Sequence, residues 1–110
     1  MKVAYIFSTT NSFAILYNMI IPQVLEGRHG ADVVGMFFLM DNAYFLLKGT
    51  EMGEDLKKIH DEKGTLIMGC DVCCLQRNIG EKLFDGAEMG CFPNFYAAMA
   101  EKAPDQVITL

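Results

Sequence analysis

Short apolar runs alternate along the chain with segments in which apolar residues recur at helical spacing. Lys2 to Phe7 and Asp32 to Leu39 are nearly unbroken apolar runs, which is typical of strands covered on both faces in a parallel sheet. Between them, apolar side chains recur every three or four positions, which predicts a helix over residues 13–26 with a kink at Pro22. This is the pattern of an α/β protein.

The second half of the chain continues the alternation. In chain order the pattern predicts a short apolar helix at Ala43 to Leu47, a charged helix at Glu54 to Lys63, a strand at Thr65 to Gly69, a helix at Asp71 to Arg77, a short edge strand at Ala87 to Met89, a helix from Pro93 to about Ala103, and a last strand at Gln106 to Thr109. Strands that alternate with helices predict an α/β sandwich with a mostly parallel sheet.

Length, composition and charge narrow the class of protein. A chain of 110 residues is long enough for a single domain, here residues 1–110, and 52% hydrophobic residues exclude a disordered chain. The net charge of −5 argues against nucleic acid as a partner. Polar residues interrupt every apolar stretch before it reaches membrane-spanning length, and no signal-peptide pattern opens the chain. These features predict a cytoplasmic protein, in which clustered thiols serve catalysis or metal binding.

Three of the four cysteines lie within five residues, at a strand end that leads into a helix. Cys70 follows the predicted strand directly, where the first N–H groups of the helix stabilise a thiolate and lower a cysteine pKa from about 8.5. The adjacent Asp71 opposes that shift, and Arg77 is two helical turns away. Because reacting groups collect at the carboxyl ends of parallel strands, we predict that Cys70 is the leading catalytic residue.

The other cysteines allow several interpretations. Cys70 and Cys73 form a C-x-x-C pair that suits a dithiol–disulfide couple. Cys74 is expected to pack inward, because adjacent residues cannot both share the helical face of Cys70. Cys91 precedes the next predicted helix, so it could enter the same pocket from a neighbouring strand end as a resolving thiol, or simply be buried.

Metal and phosphate binding are weaker alternatives. Cys70, Cys73 and Cys74 could bind a soft metal ion, but the second C-x₂-C knuckle of a structural zinc site is missing. The loop from Ser8 to Ser12 is weakly similar to a flavodoxin phosphate loop, although a polar turn with a helix cap explains it better. His29 and His60 lie in charged surroundings and are not expected to act as partner bases.

The order of these features resembles the DsrE/DsrF-like (YchN-like) sulfur-relay family. The segment Leu66 to Cys70 matches the family's apolar strand and cysteine, and Arg77, Asn78 and Ile79 match its Arg-Gly-Ile, with asparagine replacing glycine at a position that tolerates positive φ. The chain also closes on a similar Asp-Gln-Val-Ile-Thr-Leu segment. The resemblance implies a three-layer α/β/α sandwich with a Rossmann-like sheet of four to five strands, and a homo-oligomer, often a trimer or hexamer.

The resemblance also implies a function. Cys70 would carry persulfide sulfur from a donor protein to an acceptor protein. Our own hypothesis adds that Cys73 could release it by forming a disulfide, and that no cofactor or membrane is involved. Cys73 and Cys74 depart from the family pattern and make disulfide or metal chemistry more plausible. A thiol-rich metal or small-ligand binding module without turnover is therefore the main alternative, and an interaction subunit with a functional apolar surface is a third.

Overall fold

The computed structural model describes all 110 residues. Its strands are β1 (Lys2–Phe7), β2 (Asp32–Phe38), β3 (Leu66–Cys70), β4 (Glu88–Gly90) and β5 (Gln106–Thr109). Its α-helices are α1 (Ser12–Ile15), α2 (Ile21–Leu25), α3 (Glu51–Lys63), α4 (Asp71–Gln76) and α5 (Phe92–Lys102). A π-helical segment (Leu16–Ile20) joins α1 to α2, and a 3₁₀ helix (Met40–Leu46) follows β2.

The five strands form one sheet in the order β4-β3-β2-β1-β5, and every neighbouring pair is parallel. The predicted α/β fold with its parallel sheet is confirmed, and the short strand predicted near residue 88 does lie at a sheet edge. Parallel pairing brings the carboxyl ends of all strands to one edge, so the residue after each strand is a candidate for function.

Each face of the sheet carries its own apolar core. Alternate residues of β1 show the division, since Val3, Tyr5 and Phe7 pack with α2 and α3, whereas Ala4 packs on the opposite face with Phe95 of α5. Helices therefore cover both faces, as a three-layer sandwich requires. Cys70, Cys73 and Cys74 all belong to the core on the α5 side.

The predicted helix at residues 13–26 is the element that differs most from expectation. The N–H of Ile21 donates to the carbonyl of Leu16, five residues back, so the turn before Pro22 is π-helical. Proline has no N–H group and its ring crowds the carbonyl four residues before it. A widened turn just upstream accommodates both effects.

Two further helices differ in their bounds or type. The Thr50 hydroxyl accepts the N–H of Gly53 at 3.0 Å, and this cap starts α3 at Glu51, one turn earlier than predicted. The apolar helix predicted at Ala43 to Leu47 is instead a 3₁₀ helix that begins at Met40. None of the helices combines the length and apolar character that a membrane crossing requires.

Candidate thiol site at the carboxyl edge of the sheet

Cys70 is the last residue of β3 and the N-cap of α4. Its Sγ accepts the N–H of Cys73 at 3.3 Å, which is the contact predicted for a cysteine at a helix start. The side chain is only 5% exposed. The sequence pattern therefore located Cys70 correctly at the strand–helix junction, but the thiol is more buried than that position alone suggests.

This burial reverses the expected shift in acidity. Burial raises the pKa of the Cys70 thiol, and the neighbouring Cys73 thiol raises it further, while the N–H groups of Cys73 and Val72 act in the opposite direction. The lowered pKa predicted from the helix start is thus wrong, because desolvation of the thiolate outweighs two backbone hydrogen bonds.

Cys73 and Cys74 have different surroundings although they are adjacent. Cys73 Sγ accepts the N–H of Met40 at 3.1 Å, and Met40 has a left-handed backbone with φ of 56°. Non-glycine residues in that region are strained, and such residues often lie at functional sites. Cys74 is fully buried, and burial raises the pKa of its thiol. Its packing against Gly69 leaves little room for chemistry.

Arg77 does not contact a thiol. Its Nε and Nη2 atoms lie 2.9 and 2.8 Å from the Asp41 carboxylate, and its Nη1 donates to the carbonyl of Cys73 at 3.2 Å. The side chain thus ties α4 to the 3₁₀ helix and holds the two elements that surround Cys73. The next residue, Asn78, has φ of 56°, a backbone conformation that asparagine and glycine tolerate better than other residues.

Cys91 reaches Cys70 from the neighbouring strand. Cys70 pairs with Gly90 in the register of β3 and β4, and Cys91 is the residue that follows. The Sγ atoms of Cys70 and Cys91 and a carboxylate oxygen of Asp71 all lie within 4.8 Å of one another. They form the only group of three potential metal-ligating side chains so close together, and neither Cys73 nor Cys74 belongs to it.

The position of Cys91 is fixed by a capping box. Cys91 is the N-cap of α5, its Sγ accepts the N–H of Asn94, and the Asn94 Oδ1 accepts the N–H of Cys91 at 2.8 Å. A β-carbon on Gly90 would lie only 2.7 Å from the Asn94 Cβ, so glycine is needed for this approach. We did not predict a role for Asn94, although a polar residue three positions after an N-cap is the signal of a capping box.

A groove of about 550 Å³ lies beside α4, and of the four cysteines only Cys74 lines it. Asp71, Gly80, Glu81 and Met89 also line the groove. Two of its lining side chains, Leu75 and Met89, are apolar and at least half exposed. The groove is therefore a surface next to the site, reached through Asp71, on which another molecule could bind.

The polar loop and the histidines contribute nothing to this site. Ser8 and Ser12 donate their hydroxyls to the carbonyl of Leu110 at 3.2 and 3.3 Å, as a structural turn does. His29 bonds to the Tyr5 hydroxyl at 2.9 Å. His60 bonds to the carbonyl of Thr65 at 2.8 Å, at the amino end of β3 and so opposite the thiols.

No family model matches the chain, and no curated protein does. Solved structures do match over nearly its whole length. The E. coli protein YchN is 19% identical and has a TM-score of 0.70, with 99% of this chain and 97% of that one covered. A Bacteroides thetaiotaomicron protein of unknown function is 12% identical with a TM-score of 0.71, covering 98% and 94%. A Methanobacterium thermoautotrophicum protein of unknown function is 10% identical with a TM-score of 0.66, covering 97% and 96%.

These similarities define the class of protein by its fold. The chain has the YchN-like fold, as its resemblance to the DsrE/DsrF-like family predicted. At identities of 10–19% the similarity concerns the fold alone, and function has to be argued from the thiol site.

Proposed function

We propose that this protein is a small sulfur carrier of the sulfurtransferase-like type, in which Cys70 holds the transferred sulfur as a persulfide. One observation carries the proposal: Cys70 ends a strand at the carboxyl edge of the sheet, with a backbone N–H at its sulfur and a second thiol, Cys91, in the same group. Asp71, the residue after Cys70, lines the groove that also exposes Leu75 and Met89, and we place the partner there.

The chemistry is thiol exchange. The Cys70 thiolate attacks the outer sulfur of a donor persulfide, the donor thiolate leaves, and Cys70 becomes a persulfide. An acceptor thiolate then attacks the outer sulfur and restores Cys70, so no electrons are gained or lost overall. Because burial raises the Cys70 pKa, the thiol must lose its proton as the donor arrives. The resting protein is thereby protected from indiscriminate oxidation.

The environment of the protein follows from this proposal. The donor and the acceptor are proteins with reactive thiols, and the site works in the reducing cytoplasm, without a cofactor. Assembly into a trimer or hexamer is part of the proposal, on the strength of the family resemblance. The exposed Tyr44, Leu75 and Tyr96 side chains provide apolar surface for such contacts.

Mass spectrometry tests the central step. After incubation with a small-molecule persulfide donor and alkylation, we expect the wild-type chain to gain one sulfur atom, about 32 Da, on Cys70. The Cys70→Ser variant should gain none at that position. Cys74→Ala is the matched control, because Cys74 lies in the same helix but is fully buried. An equal gain in Cys70→Ser would refute the carrier function.

A metal-binding module without turnover is the second candidate. The close group of Cys70, Asp71 and Cys91 favours it, since two sulfurs and one oxygen suit a borderline metal such as zinc and leave a fourth position open. Titration with Co²⁺ should then produce thiolate charge-transfer absorption that Cys91→Ser abolishes. Equal absorption in wild type and Cys91→Ser would exclude this metal site.

A further inference from the structure

We infer that Cys91, and not Cys73, is the thiol that discharges Cys70. In this step, which competes with transfer of the outer sulfur to an acceptor thiol, the Cys91 thiolate attacks the inner sulfur of the Cys70 persulfide, a Cys70–Cys91 disulfide forms across the ends of β3 and β4, and hydrosulfide leaves. The inference rests on the proposed function. It assigns to Cys91 the role of resolving thiol that the C-x-x-C pattern had given to Cys73.

Strand register supports the pairing of Cys70 with Cys91. Neighbouring strands lie about 4.8 Å apart, and the partner of Cys70 across β3 and β4 is Gly90, the residue just before Cys91. A disulfide requires Cα atoms roughly 4.4–6.8 Å apart, a separation that fits adjacent strand ends. The two Sγ atoms are already within 4.8 Å, so a change in side-chain rotamer rather than a movement of strands closes the bond.

The contacts of Cys73 oppose the alternative pairing. Its Sγ is bound by the N–H of Met40 at 3.1 Å, and the side chain is 4% exposed. Bonding to Cys70 would withdraw this sulfur from the Met40 N–H, a hydrogen bond that a Cys70–Cys91 disulfide leaves intact.

Cys91 has the opposite properties. Its side chain is partly exposed, and its capping box supplies an N–H group, that of Asn94, to the sulfur that bears negative charge during the attack. Reduction of the disulfide by an external dithiol, which becomes oxidised, returns both cysteines to thiols.

Trypsin separates the relevant cysteines, which makes the pairing measurable. Cleavage after Lys63, Arg77, Lys82 and Lys102 places Cys70, Cys73 and Cys74 in the peptide 64–77 and Cys91 in the peptide 83–102. After loading with the persulfide donor and removal of excess donor, we expect a disulfide between these two peptides and release of one hydrosulfide per protein. A Cys70–Cys73 disulfide would instead appear within peptide 64–77 as a loss of 2 Da.

Two matched variants decide between the partners. Cys91→Ser should retain the persulfide on Cys70, lose the link between the peptides and slow hydrosulfide release at least tenfold. Serine is a preferred N-cap residue, so this change preserves the start of α5. Cys73→Ser, or Cys73→Ala should the serine variant not fold, should retain both the link and the release.

The outcomes separate this inference from the proposed function. A persulfide on Cys70 with undiminished hydrosulfide release in Cys91→Ser, or a disulfide confined to peptide 64–77 in the wild type, would overturn the role of Cys91 and leave the carrier function intact. Absence of a persulfide on Cys70 in every variant would remove both proposals.

Discussion

The carboxyl edge of the sheet has two halves: a polar half, formed by the residues after β1 and β2, and a thiol half, formed by the residues after β3 and β4. Their side chains make different kinds of contact. After β1 and β2, the polar groups bind one another: the Asn42 amide donates to the carbonyl of Thr9 at 3.1 Å and approaches the Ser12 hydroxyl at 3.4 Å. After β3 and β4, two thiols and a carboxylate lie within 4.8 Å of one another with no hydrogen bond among them, and one of those thiols is partly exposed.

The contrast separates structural polar groups from chemically available ones. A phosphate-binding loop keeps its N–H groups free for a ligand, whereas the N–H groups of Ser8 and Thr9 both donate to the carbonyl of Leu110, at 2.7 and 3.3 Å. These N–H groups of the loop after β1 therefore stabilise the fold and are not free to bind a ligand. We therefore place the proposed chemistry in the half that carries Cys70 and Cys91.

The pH dependence of Cys70 alkylation is the largest effect that we expect in the thiol half. Because burial raises the Cys70 pKa, its reactive thiolate fraction increases about tenfold per pH unit throughout the neutral range. Alkylation of Cys70 by iodoacetamide should thus rise roughly hundredfold between pH 6.5 and 8.5, as followed by peptide mapping. A rate that levels off below pH 8 would contradict the raised pKa.

Gly90→Ala should damage the thiol half selectively. The new β-carbon would lie 2.7 Å from the Asn94 Cβ and push the start of α5, with Cys91, away from Cys70. We expect at least a tenfold slower formation of the Cys70–Cys91 disulfide under diamide, and a loss of about 1–3 kcal/mol in the free energy of unfolding. Gly80→Ala is the control, since its β-carbon would meet only the flexible Met89 side chain. Equal rates in both variants would show that Asn94 does not position Cys91.

Asn42→Ala should damage the polar half without affecting sulfur chemistry. The buried amide bonds to the Thr9 carbonyl, so its removal should lower the free energy of unfolding by about 1–3 kcal/mol in urea titrations. Sulfur loading of Cys70 should remain at the wild-type level. A severalfold loss of loading in a folded Asn42→Ala protein would mean that the two halves are coupled.

Asp41→Asn should give the smallest effect, although it touches an ion pair of the site. The Asp41 carboxylate is largely exposed, so its attraction to Arg77 is screened by water and salt. We expect only a slight fall in melting temperature, which vanishes at high salt, and unchanged loading. A marked loss of loading would instead assign Arg77 and Asp41 a direct part in the chemistry.

The sequence predicted two kinds of feature correctly: strands whose two faces are both buried, and a backbone conformation that depends on a single residue. The apolar runs at Lys2–Phe7 and Asp32–Phe38 identify strands because both of their faces are covered. Asn78 indicated a positive φ because few other residues tolerate one. The π-helical turn before Pro22 was missed, because a widened turn has the same apolar spacing as an α-helix.

For the thiol site, the sequence predicted the position of Cys70 but not its surroundings in the folded protein. The position of Cys70 follows from local sequence, but its pKa depends on how deeply the core on the α5 side encloses it. The group of Cys70, Asp71 and Cys91 depends on β4 lying next to β3. The sequence offered Cys91 a place in the pocket of Cys70 as one of two possibilities, because a strand of three residues gives too weak a pattern to fix its neighbour in the sheet.

Site-resolved mapping of the transferred sulfur tests the central claim most directly. The wild-type protein is loaded with a persulfide donor, alkylated before a disulfide can form, and digested with trypsin, and fragment ions of peptide 64–77 then locate the additional sulfur. We predict that it resides on Cys70, with little on Cys73, Cys74 or Cys91. Sulfur spread evenly over the four cysteines, or concentrated on Cys91, would contradict the assignment of Cys70 as the carrier.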